Sequence, residues 1–176
     1  MKIKVNCYNL VILQGKIKSI ESKQNAGKAL TRLLLITGNY TASVYCYALL
    51  AGSRLLKEGS YITVIGKLRY STDSKGYKII ATELYHAHEG AQFSLVTIEG
   101  YFFGEQFKHF SANKGGEVYM LPLKVVFDTG KKERTEELIK EDKPYILEGL
   151  MQYDVDSKLS IKGRHIRCTK PVEMEA

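Results

Sequence analysis

The sequence has no tryptophan, only three cysteines and three prolines, and 19 acidic residues against 26 lysines and arginines. Each shortage excludes something. Cys7, Cys46 and Cys168 are odd in number and widely spaced. They suggest neither a disulfide framework nor a zinc site, and they suit a reducing cytoplasm. The longest apolar run, Leu33-Leu34-Leu35-Ile36, is strand-sized. It falls far short of the roughly 18 residues that mark a membrane span. Met1 to Cys7 has no apolar core and no small-residue cleavage site, so no signal peptide is expected. His86, His88, His109 and His165 form no Glu-flanked helical pair, and no Ser/His/Asp or Cys/His grouping stands out. No catalytic residue, cofactor or metal is therefore expected. Glu133, Glu136, Glu137, Glu141 and Asp142 read as a solvated helix face. Gly27-Lys28-Ala29-Leu30 lacks the earlier glycine of a phosphate loop and precedes a strand.

What is present is unevenly placed. Residues 1–90 hold 13 lysines and arginines against 5 acidic residues, while residues 91–176 hold 13 against 14. Eight of the 12 tyrosines lie in the first part, and all six phenylalanines lie in the second. A basic first part suggests a polyanionic partner. No basic amphipathic helix is visible, which favours nucleic acid over a membrane surface.

The chain also echoes itself. Gly66-Lys67-Leu68-Arg69-Tyr70 precedes Asp73-Ser74-Lys75, and Gly149-Leu150-Met151-Gln152-Tyr153 precedes Asp156-Ser157-Lys158. In both stretches Tyr falls four positions after Gly, and Asp-Ser-Lys starts seven positions after it. Val11-Ile12-Leu13-Gln14-Gly15 resembles Val96-Thr97-Ile98-Glu99-Gly100 at nearly the same offset. An internal duplication of a domain of roughly 85–90 residues follows; a solenoid needs a shorter period and more copies.

Each copy reads as short strands. In the first, Val11–Ile20 is a strand with Gly15 marking a bend. Glu21–Lys28 is polar and reads as a loop. Ala29–Thr37 and Tyr40–Ala48 are strands around a Gly38-Asn39 turn, with Tyr45 and Tyr47 sharing one face. Leu49–Glu58 reads as a short helix stopped by Gly59. Tyr61–Tyr70 and Tyr77–Tyr85 form a hairpin closed by the Asp73–Gly76 turn. Five strands with a helix between the third and fourth make an OB-fold, whose face and loops commonly take oligonucleotides. In the second copy, Phe93–Phe103, Val118–Phe127, Tyr145–Tyr153 and Leu159–Cys168 are strands. Phe107–Phe110 is an aromatic stretch, Asn113–Gly116 a turn, Arg134–Lys140 the short helix, and Pro122 the sign of an edge or bulge. The fold expected is therefore all-β with short helices, as two tandem OB-fold five-stranded barrels. Residues 1–88 form the first, 93–170 the second, His86–Gln92 the linker and 171–176 a short tail.

Residues 11–87 resemble the bacterial single-stranded DNA-binding protein family. The resemblance lies in Val11–Ile17, in Leu56-Lys57-Glu58-Gly59-Ser60, in Ile65-Gly66-Lys67-Leu68-Arg69, and in Asp73, Gly76 and Thr82-Glu83 in that order. It implies a protein that coats and protects exposed single strands in replication, repair, recombination or transfer. The chain departs from the family in three respects. Two domains stand where one is usual. The tail Val172–Ala176 is no long linker with an acidic tip, so recruitment through such a tip is not expected. Tyrosines stand near the places of the family's stacking tryptophans: Tyr70 in the hairpin, and Tyr45 or Tyr47 in the strand before the helix.

Non-specific single-strand binding needs cations that track phosphates and aromatic faces that stack on bases. Tyr40, Tyr45, Tyr47, Tyr70 and Tyr77 are interleaved with Lys16, Lys18, Arg32, Lys67, Arg69 and Lys78. These eleven residues are the candidate site. Tyrosine is equally a good strand former, and lysine a common solvated or edge-strand residue. Phe102, Phe103, Phe107 and Phe110 offer either core packing or a second stacking platform. The second copy either extends the strand path or serves assembly, and a dimer would bring four such domains together. Two other partners fit the same residues: RNA, or the proteins of a replication or conjugation assembly.

Overall fold

Alternation of apolar and polar residues decides the strands, and glycine decides where they can coil. The computed structural model describes residues 8–25, 27–71, 76–103, 106–112, 118–128, 143–153 and 159–168. The Asp73–Lys75 and Asn113–Gly116 turns, the Arg134–Lys140 helix, Asp156–Lys158, the carboxylates 133–142, Cys7 and the 171–176 tail lie outside them. The described residues form strands β1 (Asn9–Asn25), β2 (Lys28–Thr37), β3 (Tyr40–Tyr47), β4 (Tyr61–Ser71), β5 (Gly76–His86), β6 (Phe93–Phe103), β7 (Gln106–Ala112), β8 (Val118–Val126), β9 (Pro144–Tyr153) and β10 (Leu159–Cys168). Among the described residues no helix is long and apolar enough to cross a membrane.

The chain divides into two units. One is Leu10–Leu95, and the other joins Val96 onward to the N-terminal segment ending at Asn9. Tyr8 and Asn9 are thus grouped with the second unit. Tyr8 explains this: its carbonyl accepts from the Glu99 backbone N–H at 2.9 Å, and its own N–H donates to Glu99 Oε2 at 3.3 Å.

In the N-terminal unit β1 pairs antiparallel with β2, β2 with β3, β3 parallel with β5, and β5 antiparallel with β4. The ladder closes because β4 pairs with the first half of β1. The result is a closed five-stranded barrel. Val11, Leu13, Ile17, Leu33, Leu35, Val44, Ile62, Val64, Leu68 and Ile79 fill it. One strand can serve two partners only by coiling sharply, and two features permit this. The β1–β2 register shifts between Ile17 and Ser19, a bulge at Lys18. A Cβ on Gly15 would collide with the Ile36 carbonyl oxygen, and one on Gly66 with that of Ile80.

The C-terminal unit repeats the order of pairings. β6 pairs with β7, β7 with β8, β8 parallel with β10, β10 with β9, and β9 with β6. Its glycines obey the same constraint: a Cβ on Gly100 would meet the Lys108 carbonyl oxygen, and one on Gly149 that of Lys162. Val11 pairs with Gly66, and Val96 pairs with Gly149. The sequence echo therefore marks positions where these ladders admit no side chain. Pro122 sits in β8 two residues before the β10 ladder begins at Lys124, so its ring lies outside that ladder.

Three expectations are corrected. Glu21–Asn25 continue β1 and pair with Lys28–Arg32, so the loop shrinks to residues 26 and 27. These residues lack the apolar alternation that signals a strand, and Glu21 and Ser22 are exposed. The Leu49–Glu58 helix is a 3-10 turn, Ala48–Gly52, with no buried residue. Leu49 is 94% exposed, and a segment without a buried face gains no packing to hold it helical. Gly59 keeps a left-handed φ of 83° but ends a turn, not a helix. Phe107–Phe110 belong to strand β7, where Phe107 and His109 are buried.

Candidate nucleic-acid interface

The outward face of the N-terminal barrel is built by register. On β3, Ala42, Val44 and Cys46 point into the core, so Ser43, Tyr45 and Tyr47 point out. Burial pushes the Cys46 thiol up to about 11, which keeps it protonated. Tyr45 lies opposite Arg32 on β2 and beside Ile80 on β5, and Ile80 lies opposite Lys67 on β4. One row therefore crosses the sheet as Lys67, Ile80, Tyr45, Arg32, and then Glu21 on β1. With strands about 4.8 Å apart, the backbones of its two cations, Lys67 and Arg32, are about 14 Å from each other across the sheet. The next row holds Arg69 opposite Lys78. Lys78 Nζ reaches back over the Tyr45 ring at 5.4 Å from its centroid.

Arg32 is fixed by its neighbours. Its Nη2 donates to Ser43 Oγ at 3.1 Å, and its Nη1 reaches Glu21 Oε2 at 3.4 Å. Both partners of that ion pair are substantially exposed, so it contributes little to stability and mainly aims the guanidinium. Lys67 and Arg69 are exposed. The face thus sets the Tyr45 ring among four cations, on a partly apolar floor that includes Leu34 and Ile80.

The other candidates divide between this face and the rest of the unit. Tyr47 is on the same outward face two residues beyond Tyr45 and is 37% exposed. Lys16 is exposed on the outward face, opposite both Tyr61 and Ile36, with its Nζ 6.0 Å from the Tyr61 ring. It lies four residues along β2 from Arg32, about 13 Å at strand rise. Lys18 is exposed at the bulge. Tyr70 and Tyr77 share the side of the hairpin occupied by Leu68 and Ile79, opposite to Lys67, Arg69 and Lys78. They pack edge to face, with centroids 5.5 Å apart. Burial raises the Tyr77 phenol well above its ordinary value, and the nearby Tyr70 adds to the effect. Tyr40 faces inward at the barrel mouth. Burial raises its phenol too, against the opposing effect of a hydrogen bond with Ser94. Beside it Thr37 Oγ1 donates to the Phe93 carbonyl at 3.1 Å. Tyr40, Tyr70 and Tyr77 therefore do not join the outward cluster.

Tyr61, Ser43, Leu34 and Ile80 belong to this face and were not among the sequence candidates. Tyr61 was recoverable, since it shares the parity of Thr63 and Lys67 is displaced from it only by the turn of the strand. Leu34 was not: β2 is apolar on both sides, so its pattern does not tell the faces apart.

No family model and no curated protein sequence matches the chain. Among solved structures, it is similar to the single-stranded DNA-binding protein from Thermus aquaticus, with a TM-score of 0.73 over 98% of each chain and 16% sequence identity. At that identity the likeness establishes a shared all-β fold of the OB kind.

Proposed function

We propose that the chain binds single-stranded DNA without strong sequence preference, and that it is built of two tandem OB-folds. The observation that carries the binding reading is the Tyr45 ring held among Lys67, Lys78, Arg69 and Arg32 on the β2–β3 face of a closed barrel. That face is where OB-folds commonly take oligonucleotides. Tyr45 supplies a π-face for a base, and the cations supply phosphate contacts. None of these groups reads base edges in a set pattern, so the binding is sequence-tolerant. The tandem reading rests on the two identical pairing orders and their matched glycines. The solved neighbour of the same length, described as a single-stranded DNA-binding protein, agrees with both readings. We place the protein in the cytoplasm, protecting strands exposed in replication, repair or recombination.

Intrinsic tyrosine fluorescence, titrated with oligo-dT at two salt concentrations, tests this. About four phosphate contacts give a slope of log affinity against log salt near −3 for a single strand. Tyr45→Ala is expected to weaken binding about 5- to 150-fold, the range of one lost stack. Tyr70→Ala should weaken it far less, because that ring faces the other way. Unchanged fluorescence and no mobility shift at low salt would remove the reading.

A further inference from the structure

One carboxylate stands where a face built for a polyanion has reason to exclude it. Residues 1–90 hold five acidic side chains: Glu21, Glu58, Asp73, Glu83 and Glu89. Glu58 Oε1 accepts from the Ile20 backbone N–H at 3.1 Å, and Glu83 accepts from the Tyr85 hydroxyl. Among the described residues, Glu21 is the acidic side chain that pairs with a cation of the proposed site. It ends the row that runs through Lys67, Ile80, Tyr45 and Arg32. A strand whose phosphates follow that row meets a negative charge beside its last cation.

The geometry at Arg32 says what this charge does. Nε is shielded from solvent, and Nη2 donates to Ser43 Oγ at 3.1 Å, so the guanidinium is already held from one side. A phosphate that approaches the Nη edge finds Glu21 Oε2 there, 3.4 Å from Nη1. A guanidinium takes carboxylate and phosphate oxygens through the same planar fork of donors, so the two anions compete. The existing pair is loose. Charge-assisted N–H···O bonds are typically about 2.7–2.9 Å long. The Arg32 and Glu21 side chains are 37% and 45% exposed. Lys162 and Asp128 of the C-terminal unit, at 2.7 Å, show the tight alternative. A loose, exposed pair holds a cation without committing it.

We infer that Glu21 is a built-in stand-in for phosphate, which occupies Arg32 in the free protein and must be displaced when a strand binds. This rests on the single-strand reading above. Glu21 then restrains the affinity of the face, while Ser43 keeps the guanidinium aimed in both states.

The test titrates the full chain with a dT oligomer at low and high salt, comparing the parent, Glu21→Gln, Arg32→Gln and the double variant. Glutamine keeps the length of Glu21 and its capacity to accept a hydrogen bond, but not its charge. Glu21→Gln should bind about 2- to 5-fold more tightly at low salt, the worth of one exposed ion pair. The gain should fade at high salt, where the pair is already screened. In the Arg32→Gln background the same substitution should change nothing, because no guanidinium remains to compete for. Matching circular dichroism of the four chains excludes unfolding as the cause of any change. A Glu21→Gln chain that binds as the parent does, or more weakly, would overturn the inference and leave the carboxylate only an aiming partner of Arg32. A gain that survives in the Arg32→Gln background would overturn it as well, by showing a general effect of charge. A parent chain that binds no strand even at low salt would overturn the single-strand reading, and this inference with it.

Discussion

Gly15→Ala is expected to cost the N-terminal unit about 3 kcal/mol or more, although it adds one methyl group. Adding a methylene to a packed core usually costs about 1–3 kcal/mol, because side chains can shift. Here the obstacle is the Ile36 carbonyl oxygen, a backbone atom in the β1–β2 ladder, and the Leu35 side chain stands 3.2 Å away on the same side. Relief would require opening the ladder where β1 changes partner from β4 to β2, which closes the barrel. Gly100→Ala should act equally on the C-terminal unit, where the Lys108 carbonyl and the Phe107 ring occupy the space. Gly52→Ala is the control. Nothing lies within 4 Å of its Cβ position, so it should fall within about 0.5 kcal/mol of the parent. Urea denaturation followed by circular dichroism gives the cost. Hydrogen exchange resolved by strand shows which unit opens, which matters because two units need not melt as one transition. A Gly15→Ala chain as stable as the Gly52→Ala chain would refute this account of the repeat.

The same glycines show what could be read in advance. The echo between the two stretches was visible because a Cβ has no room at Gly15, Gly66, Gly100 or Gly149, and the flanking apolar residues keep their parity. The strands of β3, β4 and β5 were readable because one side is core and the other is solvent. The reading failed where that contrast fails. Glu21–Asn25 are strand without an apolar side, and β2 carries Leu34 and Ile36 beside Arg32 on its outward side, so the apolar floor beneath Tyr45 could not be assigned. The Leu49–Glu58 segment has helical composition but no packed face.

Candidates that are neighbours in sequence part in space. Arg69 and Tyr70 are successive residues of one strand, as are Tyr77 and Lys78, so each pair must point to opposite sides. Adjacency in sequence grouped them, yet adjacency is what separates them. Lys78 and Tyr45 meet because β3 and β5 run parallel side by side. That contact depends on topology, and no local pattern announces it.

Acid should weaken the C-terminal unit through His109. This side chain is fully buried on the inner side of β7. Its Nδ1 lies 3.3 Å from the Glu99 carbonyl oxygen, and its Nε2 lies 3.4 Å from Asn9 Nδ2. A neutral ring protonated at Nδ1 satisfies both contacts, donating to the carbonyl and accepting from the amide. Burial lowers its pKa from the ordinary 6.5 to about 4, against the smaller raising effect of the Glu99 carbonyl. Between those values the unfolded chain binds a proton that the folded chain excludes, so stability rises with pH through this window and is lost as pH falls. The loss is about 2 kcal/mol from pH 7 to 5 and about 3 kcal/mol by pH 4. Urea denaturation at pH 7, 6 and 5 checks it, in a range where exposed carboxylates remain ionised. His109→Gln offers an amide that can still donate and accept but cannot titrate, so its stability should be lower at pH 7 and nearly flat down to pH 5. His86, His88 and His165 are exposed. A parent chain whose stability is level from pH 7 to 5, or a His109→Gln chain with the parent's slope, would show that the proton is taken up elsewhere. If the slope follows His109, hydrogen exchange should open first around Tyr8, Asn9 and Glu99, because the charged ring can no longer accept from Asn9.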